Sequence, residues 1–308
     1  MWEVVKMKIV TSGSKYIDID AYAGIIAYSN LLRLKGIQAK AVSTAKLNES
    51  ITSSLLELNT KLDKYEEKED DEFIIIDVSN KDYFDEIVKE SKIVEVIDHH
   101  TGFEEYWERK LGENSKIEFI GSVATLIVED YEKENLLEKM SKDIAILLMS
   151  AILDNTLNFQ AKVTNERDKI AYKKLLKIAS VNDNYAEKYF LECQQNIERD
   201  LKVAIENDTK VEKICDLLPR VFGQLTLWNK EFIISNKEIV YETLHHIDKE
   251  WMMNLISLED AKSYIIAEDT NVKVGLERLF NKSFEDDILE LENVWLRKEI
   301  IKKARNMD

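Results

Sequence analysis

Short apolar runs alternate with helical patterns through the first half of the chain. Lys8 to Thr11, Gln38 to Ser43, Phe73 to Asp77, Ile93 to Asp98 and Ile117 to Ile120 read as buried strands. Between them, Ala21 to Lys35, Glu49 to Leu62, Tyr83 to Glu90, Ala124 to Glu134 and Ser141 to Leu153 carry helical patterns. Strand and helix in alternation predict a mostly parallel sheet covered on both faces, an α/β domain over 1–183. A polar stretch from Ser180 to Tyr185 opens a helical segment with few strand signals, 184–206, which reads as a linker. The remainder, 207–308, predicts a smaller α+β domain with strands at Val221 to Leu227, Phe232 to Ser235 and Ser263 to Ala267.

Composition supports long helices between strands, because one Pro and eight Gly in 308 residues leave little for turn-dense or repetitive architectures. The formal charge of -16, from 43 Lys+Arg against 59 Asp+Glu, opposes broad attraction to nucleic acid or anionic membranes. An anionic substrate would need local cations. Cys193 and Cys215 have no CxxC spacing and read as packing residues of a reducing compartment. The first seven residues lack the apolar core of a signal peptide, and no stretch reaches the ~18 apolar residues of a membrane span. A cytoplasmic protein is the expectation.

Three acidic clusters follow strands closely: Asp18 and Asp20 after the first, Asp77 ending Phe-Ile-Ile-Ile-Asp, and Asp98-His99-His100 ending Val-Glu-Val-Ile-Asp-His-His. The carboxyl ends of parallel strands share one edge, where ligands bind. Taken singly, Asp18, Asp20 and Asp77 read first as helix caps or turn residues. Taken together, several carboxylates and an imidazole suit Mg²⁺ or Mn²⁺, and two such ions activate water and neutralise a phosphoryl group. No GxxxxGK[ST], GxGxxG or HExxH occurs. Ser122 and Thr125 sit at a helix start, where a cap or a phosphate can be held, and His245-His246 receives no role.

These residues resemble the DHH phosphoesterase superfamily, in the branch holding family II inorganic pyrophosphatases and the exopolyphosphatase/prune proteins. Gly13 to Asp20 is similar to that branch's first motif, Ile75-Ile76-Asp77 to its second, Asp98-His99-His100 to the naming motif, and Gly121 to Thr125 to the segment after it. Ser150 to Phe159 resembles the fourth, metal-ligating segment. Phe222-Gly223-Gln224 and Val294 to Glu299 resemble the Ile-Gly-Gln strand and the Ser-Arg-Lys clamp of the second domain.

The resemblance implies a cleft between the two domains as the active site. It implies Asp18, Asp20, Asp77, His99 and Asn155 as the metal set for two Mn²⁺ or Mg²⁺ ions. It also implies His100 at the substrate phosphate with Asp98 orienting the pair, and Arg297 and Lys298 as phosphate ligands. Leu296 to Arg305, with five basic residues and one acid, fits such a clamp, although Lys302, Lys303 and Arg305 fit a helix C-terminus better. Five positions depart from the pattern: Ser14 stands for a metal-binding His, Asn155 for an Asp beside Asp154, Val78-Ser79 for His-Asn, and Leu296 for the clamp Ser.

The activity implied is divalent-metal-dependent phosphoanhydride hydrolysis. Pyrophosphate comes first, short polyphosphate is the alternative, and a phosphate-binding regulator with weakened catalysis is the reading from another class. A small phosphate anion is the expected partner, without nucleic acid or membrane, and the family's habit of pairing through the first domain leaves a homodimer open. A DHH-type phosphodiesterase is disfavoured, because the Gly-Gly-Gly-His motif of those enzymes is absent.

Overall fold

A computed structural model describes residues 6–307; 1–5, part of the N-terminal stretch read above, and 308 lie outside the described residues. The chain divides into two compact units, 1–186 and 187–308.

In the first unit the elements run β1 (Lys8–Thr11), β2 (Tyr16–Ile17), α1 (Ile19–Leu34), β3 (Ala39–Ala41), β4 (Lys46–Leu47) and α2 (Ser53–Leu56). They continue with β5 (Glu72–Ile76), β6 (Ile93–Asp98), α3 (Glu104–Leu111), β7 (Ser115–Ile117), α4 (Val123–Lys133), α5 (Lys142–Asn155) and α6 (Glu166–Ala179). The sheet has the order β3-β1-β5-β6-β7 and every pairing in it is parallel. Its central strands are apolar on both faces, with Ile9, Val10, Phe73 to Ile76, Val96 and Ile97 essentially inaccessible. Apolar nearly all round, α1 is buried from Ile19 to Leu32 except Asn30 and packs against α4 and α5 as well as the sheet. A Cβ at Gly24 would lie 2.6 Å from Ile76 Cγ2, so this glycine lets α1 close on the end of β5.

Two expected helices of this unit differ. Glu49 to Leu62 forms a single turn, α2. Tyr83 to Glu90 is not helical but a loop between 3₁₀ turns at Lys81–Tyr83 and Glu90–Lys92. Its central Asp85 is buried and accepts bonds from Thr44 N (2.7 Å), Thr44 Oγ1 (2.8 Å) and Ile87 N (3.2 Å). That side chain competes for backbone donors and holds the loop open.

The stretch 184–206 is ordered as α7 (Tyr185–Arg199) and most of α8 (Leu201–Asn207), and Ile197, Leu201, Ala204 and Ile205 join the core of the second unit. There follow β8 (Thr209–Val211), β9 (Val221–Leu227), α9 (Glu231–Ser235), α10 (Lys237–Ile247), β10 (Trp251–Ser257), β11 (Lys262–Ile266), α11 (Thr270–Phe280), β12 (Ile288–Leu291) and α12 (Arg297–Arg305). The sheet order is β12-β11-β10-β9-β8, with β9 and β10 parallel and the other neighbours antiparallel. Trp251, Met253 and Leu255 pack on one face with residues of α8 and α10. Met252 packs on the other with Leu276, Leu279 and Ile300 of α11 and α12. Phe232 to Ser235, expected as a strand, lies in the helix α9, which carries the chain over from β9 towards its parallel neighbour.

Candidate metal centre

At the carboxyl edge of the first sheet, β5 and β6 end side by side. Asp77 follows β5 and donates its N–H to the Ile97 carbonyl at 2.9 Å. It does so at φ 64°, a left-handed conformation that Asp tolerates better than most residues but that still costs about 1–3 kcal/mol. The turn places its carboxylate at the end of β6. Asp98, fully buried, accepts from three donors through Oδ1: His99 N (2.7 Å), His100 N (3.1 Å) and His100 Nδ1 (2.9 Å). One carboxylate therefore fixes both histidines.

The His99 ring is fixed from its other side, with Nδ1 3.0 Å from the Ile120 carbonyl. A carbonyl only accepts, so Nδ1 carries a proton and Nε2 is the ring atom turned towards the carboxylates. That Nε2 lies 3.2 Å from Asp77 Oδ1 and 3.7 Å from Asp20 Oδ2. Neither His99 Nε2 nor Asp77 Oδ1 has a hydrogen-bond partner among the described residues, and both atoms are buried. A ring nitrogen and a carboxylate oxygen buried at this distance call for a proton or a cation between them. Ligand atoms of Asp77, His99 and His100 all fall within 4.8 Å of one another. This donor set, carboxylate oxygen with imidazole nitrogen, fits Mn²⁺ or Mg²⁺.

The electrostatics agree. Burial first, then the charges of Asp20 and Asp18, push Asp77 well above the ordinary carboxylate range. Burial likewise raises Asp20 to about 6, against the opposing effect of His99. A divalent cation would reverse both shifts by supplying the missing positive charge.

Asp18 and Asp20 hold helices as well. Asp18 caps α1 by accepting from Ala21 N at 3.0 Å. Asp20 crosses to the start of α4, where Oδ1 accepts from Ser122 Oγ (2.8 Å) and Ala124 N (3.0 Å) and Oδ2 from Val123 N (2.9 Å). A carboxylate has lone pairs for further ligation, and it is Asp20 Oδ2 that lies 3.7 Å from His99 Nε2. Asn155 ends α5, half-buried, its amide nitrogen 3.5 Å from the Ala151 carbonyl. In the second unit, Arg297 is turned onto its own sheet, with Nη1 donating to the Asp208 and Phe222 carbonyls and Nη2 to the Asp208 carboxylate. No ion pair among the described residues holds Lys298, and burial draws its ammonium below the ordinary lysine range against the pull of Glu299.

Sequence reasoning missed Asp168. Fully buried, it accepts from Gly121 N (3.2 Å), Thr125 Oγ1 (2.7 Å) and Asn165 N (2.9 Å), bracing the Gly-Ser-Val-Ala-Thr segment next to Ile120. Its signal is the Asn165-x-x-Asp168 capping box that opens α6.

Residues 8–152 match the family described as DHH family, N-terminal domain. The first unit carries a DHH domain. Over 96% of this chain and 96% of its own length, a Bacillus cereus protein named as a probable manganese-dependent inorganic pyrophosphatase is 25% identical. Among solved structures, a Methanococcus jannaschii protein assigned to the family II inorganic pyrophosphatases covers 97% of this chain and 100% of its own at a TM-score of 0.69 and 22% identity. An exopolyphosphatase-related protein from Bacteroides fragilis covers 98% of this chain and 91% of its own at 0.53 and 17%. Both share the fold with this chain, in which a parallel-sheet unit is followed by a smaller unit of mixed sheet and helices.

Proposed function

We propose that the protein is a divalent-metal-dependent phosphoanhydride hydrolase acting on pyrophosphate. The observation that carries this reading is the pair of orphaned, buried atoms, His99 Nε2 and Asp77 Oδ1, 3.2 Å apart at the carboxyl edge of a DHH domain. Mn²⁺ or Mg²⁺ would be held by Asp77, His99 and Asp20, with Asp18 close enough to add charge. Such ions supply a water nucleophile at neutral pH and offset charge on the phosphoryl oxygens. The name of the Bacillus relative favours manganese.

His100 is the group placed to act on substrate, since its side chain is 62% exposed while Asp98 fixes its ring. Desolvation opposes its charge, but the Asp98 hydrogen bond and the Asp77 carboxylate outweigh it and hold the imidazolium above the ordinary histidine range. A charged donor of this kind binds a phosphate oxygen and can give up a proton to the leaving phosphate. Asp98 acts by orienting His100.

Short polyphosphate is the second substrate, favoured by Ser14 and by the fold shared with the exopolyphosphatase-related protein. Phosphate release from pyrophosphate and from a short polyphosphate, each with Mn²⁺ and with Mg²⁺, tests the reading. Release that is faster on pyrophosphate and absent from Asp77→Ala is expected. No release above that control under either metal would reject hydrolysis. Tight pyrophosphate binding without turnover would favour a regulator that has kept the site. The expectation of a cytoplasmic protein stands beside the finding that no described helix is long and apolar enough to cross a membrane.

A further inference from the structure

Ile120 and Gly121 share one peptide unit, and its two polar ends are held by two different side chains. The carbonyl oxygen lies 3.0 Å from His99 Nδ1, and the N–H donates to Asp168 Oδ2 at 3.2 Å. A single planar, rigid group therefore stands between the Asp168 carboxylate and the His99 ring. Gly121 permits the approach, since a Cβ there would lie 2.4 Å from Asp168 Oδ2.

Asp168 is fully buried and accepts two further bonds, from Asn165 N through Oδ2 (2.9 Å) and from Thr125 Oγ1 through Oδ1 (2.7 Å). The bond to Asn165 completes the capping box of α6, a task that takes one acceptor. Burying a carboxylate is costly, and a cap alone does not require it. The other two bonds leave α6 for the segment that opens α4. That segment is held from its other side by Asp20, which accepts from Ser122 Oγ, Val123 N and Ala124 N and whose Oδ2 lies 3.7 Å from His99 Nε2. Residues 121–125 thus lie between two buried carboxylates, and each carboxylate relates to a different nitrogen of the same imidazole.

An amide whose N–H is bonded to a carboxylate oxygen has a more polarised carbonyl, which makes it a stronger acceptor at its other end. A histidine that presents one nitrogen to a ligand is oriented by the group its other nitrogen binds. We infer that Asp168 is a positioning residue for His99, acting through the Ile120–Gly121 peptide to fix the plane of the ring and so the direction in which Nε2 points. Asp168 lies beyond residues 8–152, which match the DHH domain, but inside the first unit. The link from Asp168 to the ring needs no metal; its consequence for Mn²⁺ rests on the metal-dependent hydrolase reading.

The test follows two NMR resonances of the full-length, metal-free protein, the His99 Nδ1–H and the Gly121 amide N–H, and measures Mn²⁺ affinity by calorimetry. Asp168→Ala should move both resonances upfield together, because losing the acceptor at one end of the peptide weakens the bond at the other, and should weaken Mn²⁺ about tenfold. Asp168→Asn can keep its oxygen on Gly121 N while its amide turns to the Thr125 hydroxyl, so it should fall between Ala and wild type in both readouts. Leu175, fully buried about two turns further along α6, serves as the control for lost stability. Leu175→Ala should lower Tm while both resonances and the Mn²⁺ affinity stay where they are. Should Asp168→Ala not fold, Asp168→Asn set against Leu175→Ala decides the same question.

A His99 Nδ1–H resonance that keeps its wild-type position while the Gly121 amide moves would overturn the inference, because the peptide would then transmit nothing. So would shifts of equal size in Leu175→Ala. Coupled shifts with Mn²⁺ affinity unchanged in the Asp168 variants would remove Asp168 from the metal site. If the wild type does not bind Mn²⁺ while the two resonances still move together, the metal-dependent reading falls and the positioning of the His99 ring stands.

Discussion

Asp77 concentrates what is unusual about this site: a left-handed backbone, a buried carboxylate oxygen without a donor among the described residues, and the Nε2 atom of His99 facing it. Its raised pKa and that of Asp20 carry a sign. A carboxylate whose folded pKa lies above its unfolded value contributes stability that is complete below the unfolded pKa and lost as pH rises through the folded one. The metal-free protein should therefore lose stability as pH rises from the ordinary carboxylate range past about 6, where Asp20 ionises in the fold. Cation binding competes with the same protons. The rise in Tm produced by Mn²⁺ should consequently be larger at about pH 8 than at about pH 5, and Asp77→Asn should abolish most of it. A Mn²⁺ increment independent of pH would contradict these assignments. A second consequence concerns Asp98. In Asp98→Asn the His100 ring loses its carboxylate, so its pKa in metal-free protein, followed by NMR, should fall from above the ordinary histidine range.

At the scale of elements, the site depends on where α4 begins. Gly121 lies against Asp168, and a Cβ there would sit 2.4 Å from Asp168 Oδ2 and 2.8 Å from Thr156 Cγ2. Gly121→Ala should destabilise the protein by about 1–3 kcal/mol in urea unfolding. Because Ile120 and Ser122 flank it, the same change should weaken Mn²⁺ binding; full metal affinity in a destabilised variant would separate the segment from the site.

Much of this was legible from the chain. The β1–α1, β5 and β6 pattern could be read because parallel strands are continuous apolar runs and their Asp residues punctuate the ends. What escaped did so for identifiable reasons. Asp85 overrides the helical pattern of Tyr83 to Glu90 with three side-chain bonds. β10, Trp-Met-Met-Asn-Leu-Ile-Ser, is buried at every position and shows neither alternation nor β-branched enrichment. Phe232 to Ser235 is too short an apolar run to distinguish strand from helix by period. The pairing of Arg297 with Asp208, 89 residues apart, has no local signature.

Over the whole molecule, the charge of -16 and the buried acidic cluster point the same way: this chain needs cations. Self-repulsion is relieved by screening, so moderate monovalent salt should raise the Tm of the metal-free protein. It should not replace Mn²⁺, whose proposed site is local to Asp77 and His99. The most direct measurement of that claim is an anomalous difference map from crystals grown with Mn²⁺. A peak at coordinating distance from both Asp77 Oδ1 and His99 Nε2 is the predicted result. A map without a peak beside either atom, under conditions where Mn²⁺ is in excess, would contradict it.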